Sequence, residues 1–123
     1  MKKILIVEDE EDVRNVLTDF LADEGYIMLQ AGDGLQGIEV AKKELPDLVL
    51  LDMRLPKMSG LDVIRELRAN QPNVPILVLS GVKDLETAKQ ALRLGAYDYV
   101  VKPIQLETLL RDYVTPLLGE EGA

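Results

Sequence analysis

The chain has 123 residues, 47% of them apolar, with 22 acidic and 14 basic side chains and a formal charge of −8. This composition suits one folded domain with a real core, and it argues against disorder and against a general nucleic-acid or anionic-membrane surface. The absence of cysteine and histidine excludes a disulfide framework, thiolate chemistry and the commonest general base. No apolar run is long enough for a signal-peptide core or a membrane span, so we expect a cytoplasmic protein.

The first half of the chain alternates strand-like apolar runs with helix-like segments. The predicted strands are residues 4–7, 26–31 and 48–51. Between them apolar residues recur at helical spacing; Gly25 stops the first helix and Asp33 caps the second. The predicted buried faces are Val13, Val16, Leu17, Phe20 and Leu21 in the first helix, and Leu35, Ile38, Ala41 and Leu45 in the second.

The second half repeats this alternation. Strands are predicted at residues 76–79 and 97–101, and Asp84 is expected to cap the helix between them. Pro116 is expected to kink or end the last helix. The predicted buried face of that helix is Leu106, Leu109, Leu110, Tyr113 and Val114.

Five βα units with short connections predict an α/β fold. This is a doubly wound (βα)5 three-layer sandwich, with a parallel sheet between two layers of helices. The first, third and fourth strands are uniformly aliphatic and suit central positions, whereas Gln30 and Asp98 place the second and fifth at the edges. This favours the order 2-1-3-4-5 of flavodoxin-like folds. The domain is predicted over residues 1–118, followed by a frayed acidic tail at 119–123.

Ionisable or hydroxyl side chains follow four of the five predicted strands. They are Glu8 and Asp9, Asp52, Ser80, and Lys102. Taken singly, each has a plainer explanation as a helix cap, a turn residue or a surface charge. Their shared position at the carboxyl ends of parallel strands instead favours one site at the topological switch point. Three clustered carboxylates repel one another unless a cation or protons intervene, and oxygen ligands without His or Cys suit Mg²⁺.

Four segments together resemble the response-regulator receiver domain of two-component signalling, over essentially the whole chain. They are ILIVEDE at 4–10, LVLLDMRLPKMSGLDV at 48–63, ILVLSG at 76–81 and GAYDYVVKP at 95–103. The resemblance implies a phosphoacceptor signalling protein and not a conventional enzyme. It would take a phosphoryl group from a histidine kinase or a phosphotransfer protein, catalysing its own phosphorylation and a slow autodephosphorylation.

The resemblance also implies a role for each residue of the rim. Asp52 would be the phosphoacceptor. Asp9 and Asp52 would bind Mg²⁺ directly, or Mn²⁺ in its place, with Glu8 acting through water and the backbone carbonyl of Arg54 as a further ligand. The family has Asp more often than Glu at the position of Glu8, which bears on the water around the ion.

Two residues of the switch are implied in the same way. Ser80 would contact the phosphoryl oxygens together with Lys102, and its movement would leave space for Tyr99 to turn inward. The surface formed by residues 84–118 would then act on an output domain or partner protein, or form a phosphorylation-dependent homodimer. No direct contact with nucleic acid or membrane is expected. The Lys102–Pro103 bond resembles one that is often cis in the family.

Arg54 and Val82 lie at positions that vary in the family and bear on the lifetime of the phosphoryl group. The Arg54 guanidinium is expected to lie over the phosphoryl oxygens and not to pair elsewhere. Val82 offers no group to orient a water molecule. A slow autodephosphorylator is therefore expected.

Three other functions fit parts of the sequence less well. A pseudo-receiver would use the same fold only for phosphorylation-independent protein binding. A flavodoxin-like FMN carrier would need a phosphate loop after the first strand, where EDEED stands. An aspartyl-nucleophile phosphohydrolase usually has a second acid two residues after the nucleophile, where this chain has Arg54.

Overall fold

The computed structural model describes residues 1–119, which build a five-stranded sheet in the order β2-β1-β3-β4-β5. All four strand pairs are parallel. The predicted doubly wound topology and strand order are therefore confirmed. The strands are β1 (Lys3–Val7), β2 (Ile27–Ala31), β3 (Leu48–Asp52), β4 (Ile76–Ser80) and β5 (Asp98–Val101). The predicted frayed tail lies, apart from Gly119, outside the described residues.

Helices follow each strand and cover both faces of the sheet. They are α1 (Glu11–Asp23), α2 (Gly34–Glu44), α3 (Gly60–Asn70), α4 (Leu85–Arg93), α5 (Leu106–Leu109) and α6 (Thr115–Leu118). A 3₁₀ turn at Val82–Asp84 precedes α4, and a π-helical turn at Leu110–Val114 joins α5 to α6. Asp33 caps α2 as predicted, accepting a hydrogen bond from the Gln36 N–H at 2.8 Å, and Gly25 follows α1 with φ of 98°.

Strand side chains alternate between two buried apolar layers, as a sheet covered on both faces requires. Leu5 and Val7 of β1 point into the layer shared with α2, α3 and α4. Ile4 and Ile6 point into the layer shared with α1 and α5. The central strands β1, β3 and β4 are thus packed from both sides, which holds their carboxyl ends in fixed relative positions.

Three residues of the predicted buried helix faces are exposed instead. Val16, Leu35 and Leu45 are 54%, 52% and 60% exposed. Leu45 lies beyond the last turn of α2 in the left-handed region, with φ of 48°, so it leaves the apolar stripe. Val16 and Leu35 lie at the margin of their apolar stripes. They were wrongly predicted as buried because periodicity locates the centre of a helix face more reliably than its edges.

Pro116 neither ends the last helix nor leaves it regular. The helical backbone continues to Leu118, but the turn before the proline widens, with the Thr115 N–H bonded to the Leu110 carbonyl. Proline lacks an N–H and its ring crowds the carbonyl four residues earlier, and a π turn accommodates both effects.

Candidate functional site

Asp52 is the last residue of β3 and lies at the carboxyl rim of the sheet. The predicted strand ended one residue earlier, but Asp52 still pairs in register with Leu79 of β4. The Met53 N–H, which donates to the Leu79 carbonyl at 3.2 Å, continues this pairing past the strand. Strand pairing therefore holds the backbone on both sides of Asp52. Only 4% of this residue is exposed.

Lys102 follows β5 and reaches across the rim to the acidic residues. Its Nζ donates to Asp52 Oδ2 at 3.1 Å and lies 3.7 Å from Glu8 Oε1. Burial opposes the charge on Lys102, but the hydrogen bond to Asp52 and the charges of Asp52 and Glu8 outweigh it, so the pKa of Lys102 is raised. The Lys102–Pro103 peptide is cis, as the sequence resemblance implied.

Glu8 is fully buried at the end of β1, and neither of its carboxylate oxygens has a hydrogen-bond partner within the described part of the chain. Burial, and then the adjacent Asp52 carboxyl, raise the pKa of Glu8 well above its usual range. The backbone of the same residue is held firmly, because Arg14 of α1 donates from Nη1 to the Glu8 carbonyl at 2.8 Å. Burying a carboxyl group without hydrogen bonds lowers the stability of the fold.

Glu8, Asp9 and Asp52 each offer a carboxylate oxygen, and these oxygens lie within 4.8 Å of one another. Such hard oxygen donors, without nitrogen or sulfur ligands, match the preference of Mg²⁺. A cation bound here would contact the two Glu8 oxygens that lack hydrogen-bond partners. The structure therefore brings together the three predicted acidic ligands, and their chemistry fits Mg²⁺. It does not test the predicted backbone ligand at Arg54.

The two predicted switch residues belong to β4 and β5, the strands on the Lys102 side of the sheet. Ser80 is fully buried, and its hydroxyl donates to the Gly81 carbonyl at 3.0 Å. Contact with a phosphoryl group on Asp52 would therefore require this hydroxyl to turn. Tyr99 is half-buried and packs against the layer that contains Ala91 of α4.

Arg54 contacts Asp52 through its backbone and Asp84 through its side chain. Its backbone N–H donates to Asp52 Oδ1 at 3.2 Å. Its guanidinium Nε, however, points to Asp84, at 3.2 Å from Oδ1 and 2.9 Å from Oδ2. Asp84 occupies the N-cap position of α4, as predicted, but its side chain makes no cap hydrogen bond there. The guanidinium thus pairs with a carboxylate of the neighbouring loop, and the expectation that it covers a phosphoryl group on Asp52 stays a prediction.

Two cavities border the rim. One, of about 380 Å³, is lined by Asp52, Arg54, Gly81, Val82, Lys83, Asp84 and Lys102. The other, of about 450 Å³, is a largely apolar groove lined by Val13, Val16, Leu17, Pro103, Ile104 and Leu106, with Glu10, Asp12 and Lys102 at its margin. The groove explains why Val16 is exposed: it contributes to an open apolar surface.

Sequence reasoning missed three features: Arg14, Asp84 as a partner of Arg54, and the groove. Arg14 is separated from its second partner, Gln30 Oε1 at 3.0 Å, by 16 residues, and Arg54 from Asp84 by 30 residues. No periodic signal marks such pairs. The sequence carries no signal for the groove, because the exposure of Val16 on the predicted apolar face appears only in the folded structure.

Comparisons with known proteins agree with this geometry. A family model described as "Response regulator receiver domain" matches residues 4–113. Sporulation initiation phosphotransferase F of Bacillus subtilis is 34% identical over 117 residues, covering 95% of this chain and 94% of that protein. Regulatory protein AtoC of Escherichia coli is 37% identical over 109 residues, covering 89% of this chain but 24% of that protein.

The structural comparison agrees. The receiver domain of NtrX from Brucella abortus superposes with a TM-score of 0.86 at 34% identity, covering 93% of this chain and 97% of that one. The chain spans about half the length of several other curated relatives. Across residues 1–119, no helix combines the length and apolar character needed to cross a membrane.

Proposed function

The chain belongs to the response regulator receiver domain family, and from this premise we propose that Asp52 accepts a phosphoryl group from a histidine kinase or a phosphotransfer protein. The observation that supports this most is the Asp52 carboxylate at the end of β3, bonded to Lys102 at 3.1 Å and grouped with Glu8 and Asp9. A merely structural aspartate would not need two further acids beside it.

In the proposed reaction, a carboxylate oxygen of Asp52 attacks the phosphorus of a phosphohistidine. The new P–O bond forms as the P–N bond breaks, and the electron pair of that bond leaves with the imidazole, which takes a proton. Strand pairing on both sides of Asp52 holds the nucleophile in place. Lys102, already charged and in contact with Asp52, neutralises charge on the equatorial oxygens of the transferring group.

Glu8, Asp9 and Asp52 would hold Mg²⁺, or Mn²⁺ in its place, with the backbone carbonyl of Arg54 as a further ligand. When bound, the ion would neutralise negative charge on the phosphoryl oxygens. The carboxylates of this chain supply the binding energy for it, because their mutual repulsion is relieved. Arg14 contributes by holding the Glu8 backbone at the rim.

The register of the sheet supports a route from Asp52 to a surface. Val78 is paired with Tyr99 and Ser80 with Val101. Ser80 lies two residues after Val78 and so points to the same face of the sheet, which is the face of Tyr99 and of α4. A hydroxyl that turns from Gly81 to a phosphoryl group would change the space open to Tyr99. We propose that this change biases the surface formed by residues 84–118 between two states.

The proposed partners follow from the lengths of the relatives and the shape of the rim. Relatives of which this chain matches only 24% and 47% suggest that the 84–118 surface acts on an output domain or partner protein, with a phosphorylation-dependent homodimer as one form of output. The apolar groove between α1 and Ile104 lies beside Lys102 and suits a phosphodonor that must reach Asp52. We place this signalling role in the cytoplasm and in a domain spanning residues 1–118.

Intact-mass analysis after incubation with acetyl phosphate and Mg²⁺ tests the proposal. The wild type is expected to gain one phosphoryl group and Asp52→Asn none, because asparagine cannot form an acyl phosphate. Asp47→Asn, a matched change at the opposite end of β3, is expected to label normally. Equal labelling of Asp52→Asn and the wild type would contradict the assignment of the acceptor.

A further inference from the structure

The ion pair between Arg54 and Asp84 joins the two loops that flank the approach to Asp52. Arg54 lies two residues after Asp52, and Asp84 ends the 3₁₀ turn after β4. Both residues line the 380 Å³ cavity that opens onto Asp52. A movement of the Arg54 side chain would therefore change the shape of that cavity.

The Arg54 guanidinium could bind either of two anions, the Asp84 carboxylate or a phosphoryl group on Asp52. Its backbone N–H already contacts Asp52 Oδ1, so the residue is anchored beside the acceptor. The Arg54 side chain is 70% exposed, so solvent surrounds most of the space into which its guanidinium could turn, whereas the Asp84 side chain is only 19% exposed. A phosphoryl group on Asp52 would add a second anion within reach of the same guanidinium.

Asp84 is well placed to act only through Arg54. As the residue before α4 it would ordinarily cap the helix, yet it makes no side-chain cap bond. Its side-chain hydrogen bonds join it to Arg54 Nε through both carboxylate oxygens. Its backbone is held separately, by an N–H bond to the Gly81 carbonyl at 3.0 Å, so removing the carboxylate should leave the turn intact.

We propose that Asp84 is a positioning residue that withholds Arg54 from the phosphorylated Asp52 and thereby sets the lifetime of the phosphoryl group. While Arg54 pairs with Asp84, the cavity beside Asp52 stays open to the water that hydrolyses the acyl phosphate. When Arg54 moves onto the phosphoryl oxygens, it covers that approach. The lifetime of the phosphoryl group then reflects the share of time that Arg54 spends in each arrangement. This inference rests on the proposed phosphorylation of Asp52.

The test measures loss of phosphate from purified phosphoprotein in excess Mg²⁺, in the full chain. Asp84→Asn is expected to lengthen the half-life roughly 2- to 5-fold, the population shift expected on loss of an ion pair with one largely exposed partner. Asp84→Glu, which keeps the charge, is expected to restore a half-life near that of the wild type. Asp62→Asn, which removes the exposed ion pair of Asp62 with Arg65 away from the site, is the matched control and should change nothing.

A double-mutant comparison separates positioning from a direct charge effect. Arg54→Ala is expected to shorten the half-life, and Asp84→Asn is expected to have no further effect in that background. If Asp84→Asn lengthens the half-life equally with and without Arg54, Asp84 acts through its own charge and the proposal fails. A half-life unchanged or shortened by Asp84→Asn in the wild-type background also overturns it.

A spectroscopic measurement tests the same contact without following hydrolysis. The Arg54 Nε–H signal in ¹⁵N-edited NMR, assigned by its loss in Arg54→Ala, is expected to shift in Asp84→Asn. On addition of Mg²⁺ and beryllofluoride, a phosphoryl mimic, it should move further in Asp84→Asn than in the wild type. A signal insensitive to Asp84→Asn would contradict the proposal. Wild-type protein that takes up no phosphoryl group would overturn the proposed function as well, whereas normal labelling with an unaltered half-life overturns only this inference.

Discussion

Acidic residues stand at both ends of the β1–β3 pair, but only at the carboxyl end does folding leave one of them, Glu8, without hydrogen bonds among the described residues. At the amino end, Asp47 Oδ2 accepts from the Lys3 N–H at 2.8 Å, and the Asp47 N–H donates to the Lys3 carbonyl at 2.8 Å. At the carboxyl end, both oxygens of the buried Glu8 lack a hydrogen-bond partner within the described residues.

The difference distinguishes a carboxylate with a structural role from one that we propose binds a cation. Asp47 makes reciprocal bonds with backbone groups and locks the start of two adjacent strands. Glu8 adds a third carboxyl group to a cluster that the single ammonium of Lys102 does not fully satisfy, since that ammonium lies 3.7 Å from Glu8, beyond hydrogen-bond distance. A fold tolerates such a group where an external cation completes it, and stored destabilisation of this kind is common at functional sites.

The largest expected effect on stability comes from the amino end. Asp47→Ala removes the acceptor of the Lys3 N–H and is expected to lower the free energy of unfolding by about 1–2 kcal/mol, measured by urea denaturation. Asp47→Asn retains an acceptor oxygen and should cost less. Labelling of Asp52 should be normal in both. A loss of labelling in Asp47→Ala at unchanged stability would break the distinction between the two ends.

Mg²⁺ provides the next effect, at the carboxyl end. At ten times its dissociation constant, the ion is expected to stabilise the fold by about 1.4 kcal/mol through linkage. For a domain of this size that corresponds to a rise of roughly 3–7 °C in melting temperature. Asp9→Asn should reduce the response and Asp47→Asn should retain it. A melting temperature unmoved by millimolar Mg²⁺ or by EDTA would contradict a metal site in this acidic group.

Tyr99→Ala is expected to have the smallest effect on the chemistry. The ring packs against the apolar layer beneath α4 and has no role in the proposed phosphoryl transfer, so the variant should label at close to the wild-type rate. Its response to phosphorylation at the 84–118 surface should be lost, measured as a phosphorylation-dependent change in amide NMR signals of α4. A defect in labelling would instead place Tyr99 in the chemistry.

Much of the carboxyl rim could be predicted from single residues in the sequence. Strand ends are marked by the change from aliphatic to polar residues, and in a parallel sheet all such ends meet at one edge. Glu8, Asp52, Ser80 and Lys102 were therefore brought together by topology alone. The edge positions of β2 and β5 followed from Gln30 and Asp98, because a strand covered on both faces excludes such residues.

The amino-acid sequence by itself determined the order of elements, the (βα)5 sheet and the family, since these depend on periodicity and on local motifs. Only the tertiary structure decided that Arg54 pairs with Asp84, that Arg14 holds the Glu8 carbonyl, and that Val16 borders an open groove. Those contacts join side chains on loops and helix ends that are distant in sequence. Their geometry depends on how each loop leaves the sheet, and several competing partners of similar energy are available to a flexible arginine.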